Sequence, residues 1–268
     1  MANHSPNAKM PVLFVGHGSP MNAIESNAFT HVLEQLGREL PRPQAICVVS
    51  AHWVTRGSQV HASEWPRTIH DFYGFPQPLY EVQYPAQGAP QEAKQLAFEN
   101  HFVADQKWGL DHGAWSVLRH MYPNADVPVF QVSLDQTRTF AEHAALGREL
   151  RKLRERGILI LGSGNLVHNL HKMNWELPHA AYPWASEFDQ KVKQAIEEHD
   201  TEKLAAPESW GEHLLAEAHP TLEHYAPILY CMAASDETDA ISYPYEGIEF
   251  GSVSMRTVMF RKNLALRP

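Results

Sequence analysis

Cysteine, basic charge and long apolar runs are all scarce in this chain, and each shortage removes a class of protein. Only Cys47 and Cys231 occur in 268 residues, and without a CxxC spacing they make neither a disulfide framework nor a thiolate zinc site. A reducing cytoplasm is the expected compartment. Lys and Arg number 22 against 31 Asp and Glu, a formal charge of −9. Nucleic-acid affinity comes largely from basic side chains displacing counterions, so neither nucleic acid nor an anionic membrane is an expected partner. No apolar run approaches the ~18 residues of a membrane span, and the polar residues 1–10 lack the apolar centre of an export signal. Those ten residues are expected to be a flexible N-terminus.

Several motifs are missing too. No HExxH is present, and no serine sits in a GxSxG elbow, which removes the main support for zincin and serine-hydrolase readings. Gly162-Ser163-Gly164 has Val167 where a GxGxxG fingerprint needs its third glycine, so a dinucleotide loop is rejected. Without a Gly/Ser-rich linker, an internal repeat or a low-complexity tract, one catalytic domain over residues 11–268 is expected.

What the chain has is histidine, 17 in all, nearly as many as Lys and Arg together. Metal or proton chemistry is therefore the leading question. Residues 11–15 (PVLFV), 45–50 (AICVVS), 127–134 and 158–161 (ILIL) are short apolar runs ending in polar loops, as buried strands do. Helical patterns fall at 23–40, 91–100, 114–121, 140–156, 185–198 and 202–217; Thr221 can cap a further helix through 222–234, and 251–260 is a closing strand. The alternation implies an α/β fold, a mostly parallel or mixed sheet with helices on both faces. Residues 63–90, rich in proline and aromatics, are expected to form a long loop over a site.

In open α/β sheets ligands bind beyond the carboxyl ends of the strands, where His17 and His52 both fall. A lone loop histidine usually just hydrogen-bonds its neighbours, but two at equivalent strand ends favour a metal. His224 is expected in the first turn of the helix after Thr221, whose positive end keeps the ring neutral and ready to ligate. His168 and His171, spaced i and i+3, either share one helical face toward the crevice or divide between crevice and solvent. Spacing alone does not bring residues 17, 52 and 224 together.

The phrases GHGSPM (16–21), VSAHW (49–53), TIHDFYGFP (68–76), WGLDHGAW (108–115), GNLVHNL (164–170) and PTLEHYAPILY (220–230) occur in this order. They resemble the 4,5-DOPA extradiol dioxygenase family, within the class III extradiol ring-cleavage dioxygenases, over about residues 10–260. The resemblance implies that His17, His52 and His224 are metal ligands, that His168 is the acid/base histidine and that His112 lines the substrate side. It implies a catechol and O₂ as substrates and a semialdehyde as product, with Fe(II) needed for activity. Zn(II) is expected in purified protein, because it binds such sites more tightly than Fe(II) does. The ligand set departs from the more distant protocatechuate 4,5-dioxygenases, in which the third ligand is a carboxylate. Glu223, next to His224, is expected to point elsewhere on the helix. Trp53, Phe72, Tyr73 and Trp115 are candidate walls for an aromatic ring. The competing readings are a zinc hydrolase using the same three histidines and a non-enzymatic binding protein on this fold.

Overall fold

A computed structural model describes residues 9–176 and 178–262. The expected flexible N-terminus falls mainly on residues 1–8, outside the described residues. Lys9 and Met10 are tied in: Lys9 Nζ bonds Asp236 Oδ2 at 2.6 Å, and the Met10 amide donates to Arg154 O at 3.0 Å.

The strands are β1 (Val12–Gly16), β2 (Ala45–Thr55), β3 (Gln59–His61), β4 (Arg67–Thr68), β5 (Val103–Asp105), β6 (Gly109–Leu110), β7 (Val129–Asp135), β8 (Ile158–Gly164), β9 (Asp239–Tyr245), β10 (Ile248–Glu249), β11 (Val253–Ser254) and β12 (Thr257–Lys262). The helices are α1 (Ala28–Glu39), α2 (Gln77–Tyr80), α3 (Pro90–Asn100), α4 (His112–Met121), α5 (Phe140–Glu155), α6 (Pro183–Glu197), α7 (Thr201–Leu204), α8 (Glu212–Ala218) and α9 (Ala226–Ala234).

Eight strands form one mixed sheet in the order β5-β3-β7-β2-β8-β1-β12-β9. Its centre is parallel, β8 pairing with β2 on one side and β1 on the other, while β12 runs antiparallel to both β1 and β9. Side chains alternate across a strand. Val12 and Phe14 of β1 therefore join one core with α5, α6 and α9, and Leu13 and Val15 join a second with α1 and α4. Both faces are covered, which is why the central strands are apolar throughout rather than alternating.

Several expected boundaries differ. The helix at 23–40 is a 3-10 turn, Pro20–Ala23, followed by α1, which starts at a capping box on Asn27 and Thr30. The helix at 202–217 breaks into α7, a 3-10 turn at Pro207–Trp210, and α8. Pro207 cannot continue the i to i−4 bonding of a helix, and Gly211 separates the last two pieces at φ 121°. The strand at 251–260 divides into β11, which pairs with β10, and β12 in the main sheet.

Candidate metal centre

Three neighbouring parallel strands, β2, β8 and β1, end side by side and build the floor of the site. His17 follows β1 directly, its amide donating to Gly164 O at 3.0 Å. His52 lies near the end of β2, where the register against β7 jumps from Val49 opposite Val132 to Val54 opposite Leu134. Five steps on β2 thus span two on β7, an irregularity of the kind that re-aims a side chain.

His224 reaches the site differently from the sequence reading. Thr221 does not cap a helix; its hydroxyl donates to Glu223 Oε1 at 2.8 Å, and α9 begins only at Ala226. His224 occupies the turn before α9, held against β8 by the Asn165 amide, which donates to His224 O at 2.9 Å. Gly164 makes that approach possible, because a Cβ there would lie 2.3 Å from His224 O.

The imidazoles of His17, His52 and His224 meet, with one ligand atom from each within 4.8 Å of the others. His17 Nε2 and His52 Nε2 are 3.1 Å apart. Their Nδ1 atoms face outward to fixed partners. Ser163 Oγ gives its proton to Gly113 O at 2.6 Å and so accepts from His17 Nδ1 at 3.0 Å. Asp71 Oδ2 lies 3.3 Å from His52 Nδ1, and Glu223 Oε1 lies 3.3 Å from His224 Nδ1. Glu223, expected to point away, instead orients His224.

With the Nδ1 atoms protonated, the Nε2 lone pairs of His17 and His52 face each other. That arrangement is repulsive without a cation between them. Burial pushes all three histidines well below the usual imidazole range, reinforced by repulsion from neighbouring imidazoles, so the cluster favours neutral, ligand-ready rings. Ligand nitrogens about 2.1 Å from one ion sit about 3.1 to 3.4 Å apart, which the observed separation matches. A three-imidazole donor set suits a divalent transition metal.

Two more histidines complete the cluster. His168 stacks on His224, ring centroids 3.5 Å apart and planes 5° from parallel. It is not helical: it sits in an isolated bridge with Val253, its amide donating to Ala218 O at 2.9 Å. His171, which the spacing allowed to share its face, is exposed. Burial, then His219 and His112, lower His168 to about 3, keeping it neutral. His112 opens α4 with its ring centroid 3.9 Å from that of His52. Of the six histidines named from the sequence, His17, His52, His112, His168 and His224 are therefore in one place and His171 is not.

Asp71 went unnoticed in the sequence. Its Oδ1 accepts the His112 amide at 2.8 Å and its Oδ2 accepts His112 Nδ1 at 2.9 Å. Burial alone would raise its carboxyl, but these bonds, with His112 and His52 close by, hold it at about 2. The signal was the polar pair His70-Asp71 opening an aromatic run. Below the site, buried Asp111 caps α4 through the Ala114 amide and accepts Ser50 Oγ and Gln131 Nε2 at 2.6 and 2.7 Å.

The aromatic walls sort differently from expectation. Phe72 packs edge-on to His112 and leans on Trp115, which is fully buried with its Nε1 donating to Ile69 O at 2.8 Å. Tyr73 is 92% exposed, and Trp53 is buried in a stack with Trp108 on the other side of its strand from His52.

The "Catalytic LigB subunit of aromatic ring-opening dioxygenase" family matches residues 4–250. A "4,5-DOPA dioxygenase extradiol" of Escherichia coli (strain K12) is 47% identical over 260 residues, covering 93% of this chain and 94% of that protein. One of the same description from Beta vulgaris is 34% identical over 92% of this chain and 95% of its own length. The crystal structure of an uncharacterized protein from Escherichia coli K12 aligns with a TM-score of 0.80 at 42% identity, over 93% of this chain and 99% of that one. With the histidine cluster in place and a match over most of its length, the chain belongs to the LigB family of aromatic ring-opening dioxygenases.

Proposed function

We propose that the protein is an extradiol dioxygenase that opens the ring of a DOPA-like catechol with O₂, using Fe(II) held by His17, His52 and His224. The observation that carries this is the meeting of the three imidazoles, with Nδ1 of His17 bonded to Ser163, Nδ1 of His224 bonded to Glu223 and Nδ1 of His52 facing Asp71 at 3.3 Å, in a chain so similar to proteins described as 4,5-DOPA dioxygenases. Ferrous iron, when bound, supplies a face that a catechol can chelate through both oxygens and at which dioxygen can react.

The protein's own groups then handle protons and shape. His168 takes the proton of a catechol hydroxyl: it is neutral, adjoins His224, and its ring nitrogens have no hydrogen-bond partner among the described residues. The same imidazole can return that proton later in the reaction. His112 donates through Nδ1 to Asp71, so its Nε2 is free to accept from a second hydroxyl. Phe72, backed by Trp115, gives the ring an apolar surface and keeps water away.

We place the protein in the cytoplasm, because both cysteines are free and buried and nothing suggests an oxidising compartment. No helix among the described residues is long and apolar enough to cross a membrane. Purified protein is expected to carry zinc, which outcompetes iron for imidazoles. The test is anaerobic loading with Fe(II) followed by DOPA under air. One metal per chain, O₂ uptake only in the iron form and a ring-opened product two oxygen atoms heavier are expected. Unchanged metal in His17→Ala and His52→Ala, or no such product, would overturn the proposal.

A further inference from the structure

A ligand set of three neutral imidazoles leaves a divalent ion with its whole +2 charge, whereas two histidines and a carboxylate would leave +1. Such a charge binds anionic catecholate strongly but is costly to hold in a buried pocket. The structure places a carboxylate one imidazole away. Asp71 Oδ2 lies 3.3 Å from Nδ1 of His52 and 2.9 Å from Nδ1 of His112, while Oδ1 accepts the His112 amide at 2.8 Å. A carboxylate offers about four acceptor positions; His112 takes two of them through its amide and Nδ1, and His52 Nδ1 stands close by without a hydrogen bond.

Asp71 is well fixed for this. Its segment is anchored on both sides: β4 pairs with β6, so that Thr68 lies beside Leu110, and the Ile69 amide donates to Leu110 O at 2.7 Å. Trp115 Nε1 binds Ile69 O, and His70 Nε2 lies 3.0 Å from Val82 O. The loop is thus tied to the start of α4, the helix that carries His112. The Asp71 side chain is 17% exposed, against 31% for Glu223 beside His224, and the partner of His17 is the neutral Ser163 hydroxyl. Of the three outer partners, Asp71 is the more sheltered of two carboxylates and the one that touches both sides of the site.

We propose that Asp71 is a positioning residue that couples the metal face to the substrate side. By accepting the Nδ1 proton and the amide of His112 it turns the His112 Nε2 lone pair inward, and its Oδ2, 3.3 Å from His52 Nδ1, supplies beside the ion the negative charge that the three histidines lack. The inference rests on the metal assignment to His17, His52 and His224. His52, Asp71 and His112 also satisfy the spacing of a second metal cluster. The hydrogen-bond reading accounts for both bonds to His112, whereas a cation held by Oδ2 and His112 Nδ1 would replace the bond between those two atoms.

The experiment compares wild-type, Asp71→Asn and Asp71→Glu full-length protein in Zn(II) and Co(II) affinity by chelator competition, with the Co(II) absorption spectrum and steady-state kinetics of the iron form. Loss of a carboxylate behind a metal-bound histidine typically weakens metal binding 10- to 100-fold. That loss is expected for Asp71→Asn, together with an altered Co(II) spectrum and a raised KM, and Asp71→Glu is expected to recover much of the affinity. An affinity for Asp71→Asn within twofold of wild type would overturn the inference. So would Asp71→Glu binding as weakly as Asp71→Asn, or two metals per wild-type chain. If wild type itself binds no metal, the three-histidine assignment fails first and the inference with it.

Discussion

Gly164→Ala tests whether the end of β8 sets the position of His224. The new Cβ would stand 2.3 Å from His224 O and 3.2 Å from both His224 C and Pro227 Cγ. Ordinary van der Waals contact begins near 3.4 to 3.5 Å, so the two backbones must part by roughly 1 Å. Metal sites tolerate only about 0.2 Å in ligand distance. The turn carrying His224 has little freedom to absorb the shift, since the Asn165 amide fastens it from one side and α9, with Pro227 in its first turn, from the other. Overpacking of this kind costs about 1 to 3 kcal/mol. In a domain of this size that corresponds to a fall in melting temperature of about 2 to 12 °C.

The expected result is a folded protein that melts somewhat lower and binds Zn(II) at least about tenfold more weakly, in the range seen when a ligand loses its support. Gly162→Ala is the control. Its Cβ would meet Cys231 Sγ at 2.4 Å, overpacking the same strand against α9 rather than against His224 O. It should lose stability with a smaller effect on metal affinity. Thermal melting of chelator-treated protein and metal titration of each variant separate the two effects. Wild-type affinity in Gly164→Ala, or an equal loss in Gly162→Ala, would refute the account of how His224 is placed.

Other expectations follow from single residues. His168→Ala should lower kcat by about 10² to 10⁴ with metal content near wild type, as for loss of a general acid/base group; a variant that loses its metal would make His168 a ligand. Burial lowers His143, bonded to Tyr230 Oη at 2.8 Å, to about 4, with smaller opposed effects from Asp135, Arg138 and Glu142. Because the unfolded chain takes up this proton near pH 6.5 and the folded one only near 4, stability contributed by His143 drains away as pH falls through that window, by up to about 3 kcal/mol. Denaturant melts of chelated His143→Gln should show a flatter acid limb than wild type, and identical slopes would refute the assignment. Arg154 is fully buried, donating to Met10 O at 2.7 Å and Ala234 O at 3.1 Å and ion-paired with Asp239 Oδ2 at 2.7 Å. Arg154→Met should destabilise by about 3 to 5 kcal/mol by stranding the Asp239 carboxylate, measured by urea melts, and a loss under 1 kcal/mol would refute that role.

The strand framework was legible because each central strand is buried on both faces and is therefore a short run of Val, Ile and Leu closed by a polar turn. Those closings located His17 and His52 directly. Helix starts were less legible where a plausible cap competed with a stronger signal: Thr221 can cap, but Pro227 in the first turn of α9 marks the true start at Ala226. Pro207 and Gly211 likewise divide residues 201–218 where helical patterning alone ran straight through. Asp71 was not legible, because its two histidine partners lie 19 and 41 positions away and only the pairing of β4 with β6 brings them together. Ser163 was hidden by its glycines: read as a loop, it is the last buried hydroxyl of β8, and its value depends on His17 lying across the strand pair.

The site divides into a rigid and a variable side, and the division follows from where each residue is rooted. His17, Ser163 and His52 stand on the ends of three hydrogen-bonded strands, and His224 is clamped to one of them, so the proposed metal face inherits the stiffness of the sheet. The substrate side is rooted in loops. Four of the exposed apolar residues lie near site residues in sequence: Val54 two positions after His52, Tyr73 two after Asp71, Leu170 two after His168, and Leu222 two before His224. Each borders a residue of the site along the chain, so the segments that hold the chemistry also carry apolar side chains to the surface beside it. Changes at Ser163, Asp71 or Gly164 therefore act first on the histidines, through the contacts that fix His17, His112 and His224.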